Sequence, residues 1–336
     1  MIGSGPAGCA AAATCHRAGL RVLIVTQAGD VKEQTSLEAQ PVESIHPGVA
    51  SLLEKIGASG VEQSATVGKY SGIYASDAFT PLGEDEIGVW YGLHINRAVF
   101  DLELLRDVAD QGVTIRLNST VDDFIMDRDR VIGIKTGNEE LYAKYIIDAS
   151  GKKSIAGKKL NFTHKFYSPP LLCWTGVSGD LDSYSFDPHA AHFIAGDQQW
   201  TWLAPLLPGR CAWTRLSMKG EKSLLPPEEL KNDPVIGEVK FANMRWRMYA
   251  PVCKEGIVLC GDAAGILDPA AGQGIFNALW SGITAAEAVV SCIRQPDLEA
   301  IHLAVYNDWF VQQFEMKVNQ LRTYYAEQGL LIVEYK

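Results

Sequence analysis

Two glycine-rich segments, nearly the whole chain apart, hold the residue types and spacing best suited to chemistry: Gly3-Ser4-Gly5-Pro6-Ala7-Gly8 and Gly261-Asp262-Ala263-Ala264-Gly265. In a Gly-x-Gly-x-x-Gly turn the first glycine permits the tight bend. The second lets backbone approach a pyrophosphate, and the third lets helix and strand pack closely, with the helix N-terminus facing the anion. Gly3, Gly5 and Gly8 take these places, and Pro6 and Ala7 belong to the same turn. The second segment adds one carboxylate, Asp262. Together the two describe opposite sides of one bound dinucleotide; an ordinary glycine-rich βα turn is the plain alternative for the first.

These residues need elements to position them. The apolar stub Met1-Ile2 precedes the first turn, alanines 10 to 13 favour helix until Gly19, and Val22-Leu23-Ile24-Val25 reads as a strand. Two residues are short for a buried first strand, so the reading expects residues upstream of Met1. Residues 27–46 read as a long polar loop, His46-Pro47 opens a helix ending at Gly57, and 66–75 and 88–95 read as strands. A helix opens at Asn96-Arg97 and stops near Gly112. Strands follow at 113–117, 121–126 and 131–135, the last two as a hairpin turning at 127–130, and a further single strand at 141–148 runs into Ala149-Ser150-Gly151. Residues 157–250 change to a Trp-rich, Pro-punctuated β pattern, with Trp200-Thr201-Trp202-Leu203 and 212–216 alternating around Pro205 and Pro208-Gly209. An apolar strand then enters the Gly261 segment, 272–293 is an Ala-rich helix, and 298–328 a helical tail. The fold class is α/β, with a discontinuous Rossmann-like dinucleotide-binding domain at 1–156 and 251–295, a β-sheet substrate domain at 157–250 and C-terminal helices at 296–336.

At 336 residues, 47% hydrophobic and 21% charged, the chain has the make-up of a globular protein with room for two domains. A net charge of −10 argues against nucleic acid or an anionic membrane as partner. No stretch reads as apolar for long enough to span a bilayer. Seven scattered cysteines without a Cys-x-x-Cys pair point to a reducing, cytoplasmic setting, and seven histidines without ligand spacing predict no metal site.

The order of Gly3-x-Gly5-x-x-Gly8, Asp148-Ala149-Ser150-Gly151, then Gly261-Asp262-Ala263-Ala264, Asp268-Pro269 and Gly272-Gln273-Gly274 resembles the flavoprotein hydroxylase superfamily. That superfamily includes aromatic hydroxylases, geranylgeranyl reductases and flavin-dependent tryptophan halogenases. The resemblance covers the chain apart from its helical tail, and it implies FAD as the cofactor. It implies that Asp262 contacts the ribityl chain and that Gly151 lies at the cofactor. The helix starting at Gly272, Gln273 and Gly274 aims its positive end at the flavin pyrimidine ring, favouring an anionic reduced flavin. Arg97 falls at an arginine the family commonly places near the cofactor, or is a surface arginine at a helix start. The sequence departs from the family at Thr26-Gln27, where the second strand usually ends in Glu or Asp. Losing that acceptor of the ribose hydroxyls costs on the order of 1–3 kcal/mol, which predicts loosely held FAD.

Two local matches resemble the halogenases. Trp200-Thr201-Trp202-Leu203-Ala204-Pro205 is similar to their Trp-x-Trp-x-Ile-Pro signature, and Lys69 falls close to their essential lysine, which handles hypohalous acid. Core packing of the tryptophans and an exposed strand lysine are the alternatives. Against halogenation, Ala271 and Gly272 stand where halogenases carry Glu and Ser. Against a polyprenyl reductase stand the tryptophans 174, 200, 202, 213 and 246 with arginines 210, 215, 245 and 247, which suit an aromatic or peptidic substrate. The resemblance therefore implies a monooxygenase that hydroxylates an aromatic group through a flavin hydroperoxide, with Lys69, Trp200 and Trp202 as candidate catalytic residues. NAD(P)H or a separate flavin reductase supplies the electrons. A narrower similarity, of overall pattern, is to flavoproteins that mature cysteine tryptophylquinone. It implies a tryptophan side chain of a precursor protein as substrate. Halogenase, geranylgeranyl reductase and non-catalytic maturation partner remain the alternatives.

Overall fold

Ile2 sits at the centre of a parallel sheet, bridging Val25 on one side and Asp148 on the other. Beyond Val25, the strand Leu23–Val25 pairs in parallel with Thr114–Arg116; beyond Asp148, Ile146–Asp148 pairs in parallel with Ile257–Leu259, edged by antiparallel Cys253–Lys254. Ile146–Asp148 and Ile257–Leu259 are buried throughout, as parallel strands covered on both faces must be. Both glycine segments leave the carboxyl ends of strands in this sheet, where open α/β sheets bind ligands. The computed structural model describes residues 1–29, 41–75, 78–86, 88–179, 186–206, 209–219 and 225–332.

Among the described residues seven α-helices follow in order: α1 (Pro6–Arg17), α2 (Val49–Lys55), α3 (Val61–Ser64), α4 (Arg97–Asp110), α5 (Ile155–Lys159), α6 (Gly274–Arg294) and α7 (Glu299–Glu327). Helix α4 starts where the Asn96 side chain accepts hydrogen bonds from the Ala98 and Val99 amides. Its Phe100, Leu104, Leu105 and Val108 join α1 and α6 in one buried cluster. Helices α1 and α6 touch backbone to side: a Cβ at Gly282 would lie 2.3 Å from the Ala7 carbonyl oxygen. Helix α7 buries Leu303, Tyr306, Phe310, Phe314, Val318, Leu321 and Tyr325, spaced at three or four residues along one face. That face enters the same core as Val258, Leu259, Trp200 and Trp246.

The second sheet has seven strands, in the order Val235–Asn243, Leu172–Ser178, Arg210–Ser217, Gln199–Leu206, Ala191–Gly196, Gly72–Ala75 and Ala78–Pro81. Its last two strands come from the N-terminal segment, so 66–75 is not one strand: Thr66–Tyr70 pairs with Gly92–Asn96 and Gly72–Ala75 turns into the larger sheet. Residues 141–148 also divide. Glu139–Tyr142 closes a three-stranded antiparallel sheet, and Ile146–Asp148 enters the parallel one. Within the expected loop at 27–46, Val42–Ile45 is a strand paired with Gly92–Asn96, while residues 30–40 lie outside the described residues. One helix overturns the expectation that no stretch could span a bilayer: α6 has 21 residues, and its most apolar 18-residue stretch has a mean hydropathy of 1.3. It packs between α1 and α7, with 56% of its most apolar stretch buried, which accounts for its composition.

Candidate functional site

The first glycine turn separates the demands of the fold from those of a ligand. Gly3 has φ +96°, and a Cβ there would meet the Ala149 carbonyl oxygen at 2.5 Å. A Cβ on Gly8 would meet the Gly3 carbonyl oxygen at 2.1 Å, whereas one on Gly5 would meet nothing within 4 Å. Gly3 and Gly8 are thus required by the protein's own packing, and Gly5 faces open space. Gly5 is also the N-cap of α1, with Pro6 following it, no side-chain cap and no acid in the first turn. Uncapped amides at the positive end of a helix beside an open glycine fit a pyrophosphate. Asp148 is spent within the fold: it accepts from the Ser150 amide at 2.9 Å and the Ala156 amide at 2.7 Å, shaping the turn that Gly151 enters at φ +64°. At the end of the second strand, Thr26 is buried and its hydroxyl lies 2.8 Å from Ser4 Oγ.

The second segment is tied to α6, because Ser281 Oγ accepts from the Gly261 amide at 2.9 Å. Burial raises the pKa of Asp262, while the positive charges of Lys152, Arg97 and Arg247 act to lower it. Arg97 does not stand free: its Nη1 reaches both oxygens of Glu43 at 2.9 and 3.0 Å, and its Nε reaches Asp101 at 2.9 Å. Gly272, at φ +58°, ends the short turn Pro269–Ala271, and Gln273 is the N-cap of α6 without a side-chain cap. The start of α6 is therefore a second uncapped helix N-terminus, as a flavin-facing helix requires.

The Gly261 segment and the start of α6 open into a cavity of about 330 Å³ between α6, α7 and the strand Gln199–Leu206. Gly3, Gly5, Pro6, Ala7, Gly8, Arg97, Gly151 and Gly272 are not among its lining residues, whereas Gly261, Asp262, Gly265, Asp268, Gln273, Gly274 and Trp202 line it. Lys69 and Trp200 do not. Lys69 is exposed on Thr66–Tyr70, with its neighbour Tyr70 buried, and Trp200 is buried with its Nε1 donating to Tyr325 Oη at 2.7 Å. Trp174, Trp213 and Trp246 are likewise buried in the core rather than forming substrate walls.

Two buried networks hold the walls. Trp202 Nε1 donates to Ser44 Oγ at 2.9 Å, and that oxygen is 2.9 Å from His94 Nδ1, whose ring stacks on Tyr70 at 4.7 Å. Burial lowers the His94 pKa to about 3, keeping it neutral. On the other side, Tyr325 Oη at 2.8 Å and Trp246 Nε1 at 2.7 Å both donate to one oxygen of Asp268, and the Ala270 amide donates to the other at 3.0 Å. Helix α7 is thereby fastened to the turn before α6. Sequence reasoning missed the rest of the wall: Asn277 and Trp280 on α6, and Trp309, Phe310, Phe314 and Lys317 on α7. The available signal was Lys317 continuing an aromatic stripe at helical spacing.

Residues 63–328 match the tryptophan halogenase family, and residues 1–37 match an FAD binding domain. The chain belongs to the tryptophan halogenase family. Within the flavoprotein hydroxylase-like group, this family member is similar to a digeranylgeranylglycerophospholipid reductase of Methanocella arvoryzae, 27% identical over 91% of this chain and 81% of the relative. Its fold is similar to the flavin-dependent brominase Bmp2, with a TM-score of 0.82 at 20% identity over 97% of this chain and 86% of the other. It is also similar to the peptidyl tryptophan dihydroxylase QhpG, with a TM-score of 0.73 at 19% identity over 97% and 74%. The chain is a flavin-dependent oxidoreductase of this halogenase, reductase and hydroxylase group, and the turn at Gly3–Gly8 fits FAD.

Proposed function

We propose that this protein is an FAD-dependent monooxygenase that hydroxylates an aromatic ring held between α6 and α7. The cavity supports this reading most directly, because rings of Trp202, Trp280, Trp309 and Phe314 surround a space that begins at Asp262 and the start of α6. Bound FAD, reduced by NAD(P)H or by a separate flavin reductase, supplies the activated oxygen. The protein's residues bind and orient. Gly5 and the α1 N-terminus hold the pyrophosphate, Asp262 takes the ribityl hydroxyls, and the aromatic walls exclude water and present the ring edge. Thr26 offers a hydroxyl already engaged by Ser4 in place of a carboxylate, which favours loosely held FAD, and gel filtration of the reconstituted protein is expected to strip it. Seven unpaired, buried thiols suit a reducing cytoplasm.

Lys69 outside the cavity, and Ala271 and Gly272 in place of Glu and Ser, count against halogenation. A cavity of about 330 Å³ suits one fused ring better than two long isoprenoid chains. The test is turnover of protein reconstituted with FAD, NADH and a flavin reductase against a panel of aromatic compounds, with and without bromide. Oxygen-bearing product independent of halide supports the reading. Halogenated product formed only with bromide, or no product and no substrate-dependent oxygen use, overturns it. A narrower form places the ring on a tryptophan side chain of a precursor protein, supported by the fold likeness to QhpG. Modification of a co-expressed precursor, read by mass spectrometry, checks it.

A further inference from the structure

Lys317 is a charged group without a counter-charge among the described residues, on the aromatic wall of the cavity. It lies on the inward face of α7, three residues beyond Phe314, and lines the cavity with Trp280, Trp309 and Phe314. Its ammonium donates to Asn277 Oδ1 on α6 and stands 5.3 Å from the centre of the Trp280 ring. No carboxylate pairs with it among the described residues. Glu315, two residues earlier on α7, is directed instead to Lys165 at 3.3 Å and Tyr167 at 3.0 Å. The other acids lining the cavity are Asp262, which feels the positive charges of Lys152, Arg97 and Arg247, and Asp268, which already accepts from Trp246, Tyr325 and Ala270.

A neutral amide and an indole face stabilise an ammonium weakly beside what a carboxylate would contribute in the same partly dry place. Burial alone lowers the Lys317 pKa, to about 8, and no charged neighbour offsets it. The amine is therefore mainly charged at neutral pH, and an incoming anion would both pair it and raise its pKa. A ring seated beside the edge-to-face pair Trp280 and Trp309, whose centres are 5.3 Å apart, lies within the same cavity. Planar rings stack there without losing the freedom a flexible chain would lose.

We propose that the cavity is selective for an aromatic acid: a flat ring held by Trp280, Trp309 and Phe314, and a carboxylate paired to Lys317 and hydrogen-bonded beside Asn277. This rests on the reading of the cavity as the substrate site, and Lys317 acts in it as a specificity-determining group, remote from the reacting carbon.

Calorimetric titration of the protein saturated with oxidised FAD, without reductant, tests the proposal separately from turnover. The probes are indole-3-propionate, its amide, tryptamine and farnesyl phosphate. At pH 7 the carboxylate binds at least tenfold more tightly than the amide, and tryptamine binds weakest. The preference declines as pH rises through about 8, where free Lys317 loses its proton; Asp262, Asp268 and Tyr324 are the other titratable groups lining the cavity. Lys317→Met abolishes the preference, Lys317→Arg keeps part of it, and Lys317→Gln replaces Lys317→Met if that variant does not fold. Equal binding of carboxylate and amide, a preference that survives loss of the lysine, binding of farnesyl phosphate alone, or no binding by any probe overturns the proposal. Absence of oxygenated product with the carboxylate preference intact would instead count against the monooxygenase reading.

Discussion

The glycine turn at Gly3–Gly8, where we propose the cofactor sits, and the cavity between α6 and α7, where we propose the substrate sits, are built in opposite ways. At the turn, recognition is by backbone: Cβ atoms are absent where they would strike Ala149 or Gly3, and amides are left without caps. At the cavity, recognition is by side chains brought in from a strand and two helices that are far apart in sequence. The first design depends on local geometry and tolerates almost no added atom. The second depends on tertiary packing and can be retuned one residue at a time.

The sharpest way to break that contrast is to add one methyl group at each of two glycines in the turn. Gly8→Ala puts a carbon 2.1 Å from a backbone oxygen that cannot swing aside, so the strand or helix must shift. A loss of about 3 kcal/mol is expected, together with loss of FAD binding. Gly5→Ala meets no protein atom within 4 Å, so its thermal midpoint stays near that of the parent while FAD affinity falls. Thermal melts and FAD titrations of the two variants separate these effects. Equal destabilisation would show that Gly5 also serves the fold.

At the cavity the largest effect belongs to Asp268, whose carboxylate accepts from Trp246, Tyr325 and the Ala270 amide. Asp268→Asn turns one acceptor into a donor that faces either the Trp246 and Tyr325 pair or the Ala270 amide, at a cost of about 2 kcal/mol in denaturant unfolding. Tyr325→Phe is expected to cost a similar amount, since it removes the link from α7 to the turn before α6 and also leaves the buried Trp200 Nε1 without its acceptor. If both variants unfold like the parent, the aromatic wall is not held by this network.

How far each region was legible in the sequence follows from the same contrast. The turn was legible because its packing requirements fall on Gly3 and Gly8 and its open face on Gly5, all within one local motif. Of the cavity's aromatic wall, only Trp202 was legible. Trp200, two residues away on the same strand, reads identically in sequence, yet it is buried against Tyr325 of a helix more than a hundred residues later. Nothing local distinguishes the two. Lys317 was lost for the same reason: a lysine in a helical stripe gains its meaning from Asn277 and Trp280 on another helix. The division of residues 141–148 between two sheets is equally nonlocal, since both halves are good strand sequence.

His94 offers a smaller test of the cavity wall. Burial holds its pKa near 3, far below the 6.5 it has when exposed. Between those values the unfolded chain binds a proton that the folded form refuses, so stability falls as pH drops, by up to about 1.4 kcal/mol per pH unit. Denaturant midpoints at pH 7 and pH 5 measure the slope, and His94→Gln removes this share of it. An unchanged slope in the variant would mean that His94 takes up a proton in the folded state and that the support beneath Trp202 is looser than its 2.9 Å contacts indicate.

The smallest expected effect is at Lys69, and it separates the molecule's two most informative lysines. Lys69→Ala should change stability by less than about 0.5 kcal/mol and leave product formation unaltered, because the side chain is exposed. Its neighbour Tyr70 points inward onto His94 at 4.7 Å. Alternation along Thr66–Tyr70 permits only one of the two to face the core, and a slip of one residue would exchange them. The contact between Tyr70 and His94, together with the pairing of Lys69 opposite Leu93, fixes the register that keeps Lys69 out. Loss of turnover in Lys69→Ala with ring binding intact would require this strand to re-register during catalysis. The halogenase-like role of Lys69 would then be restored at the expense of the hydroxylase reading.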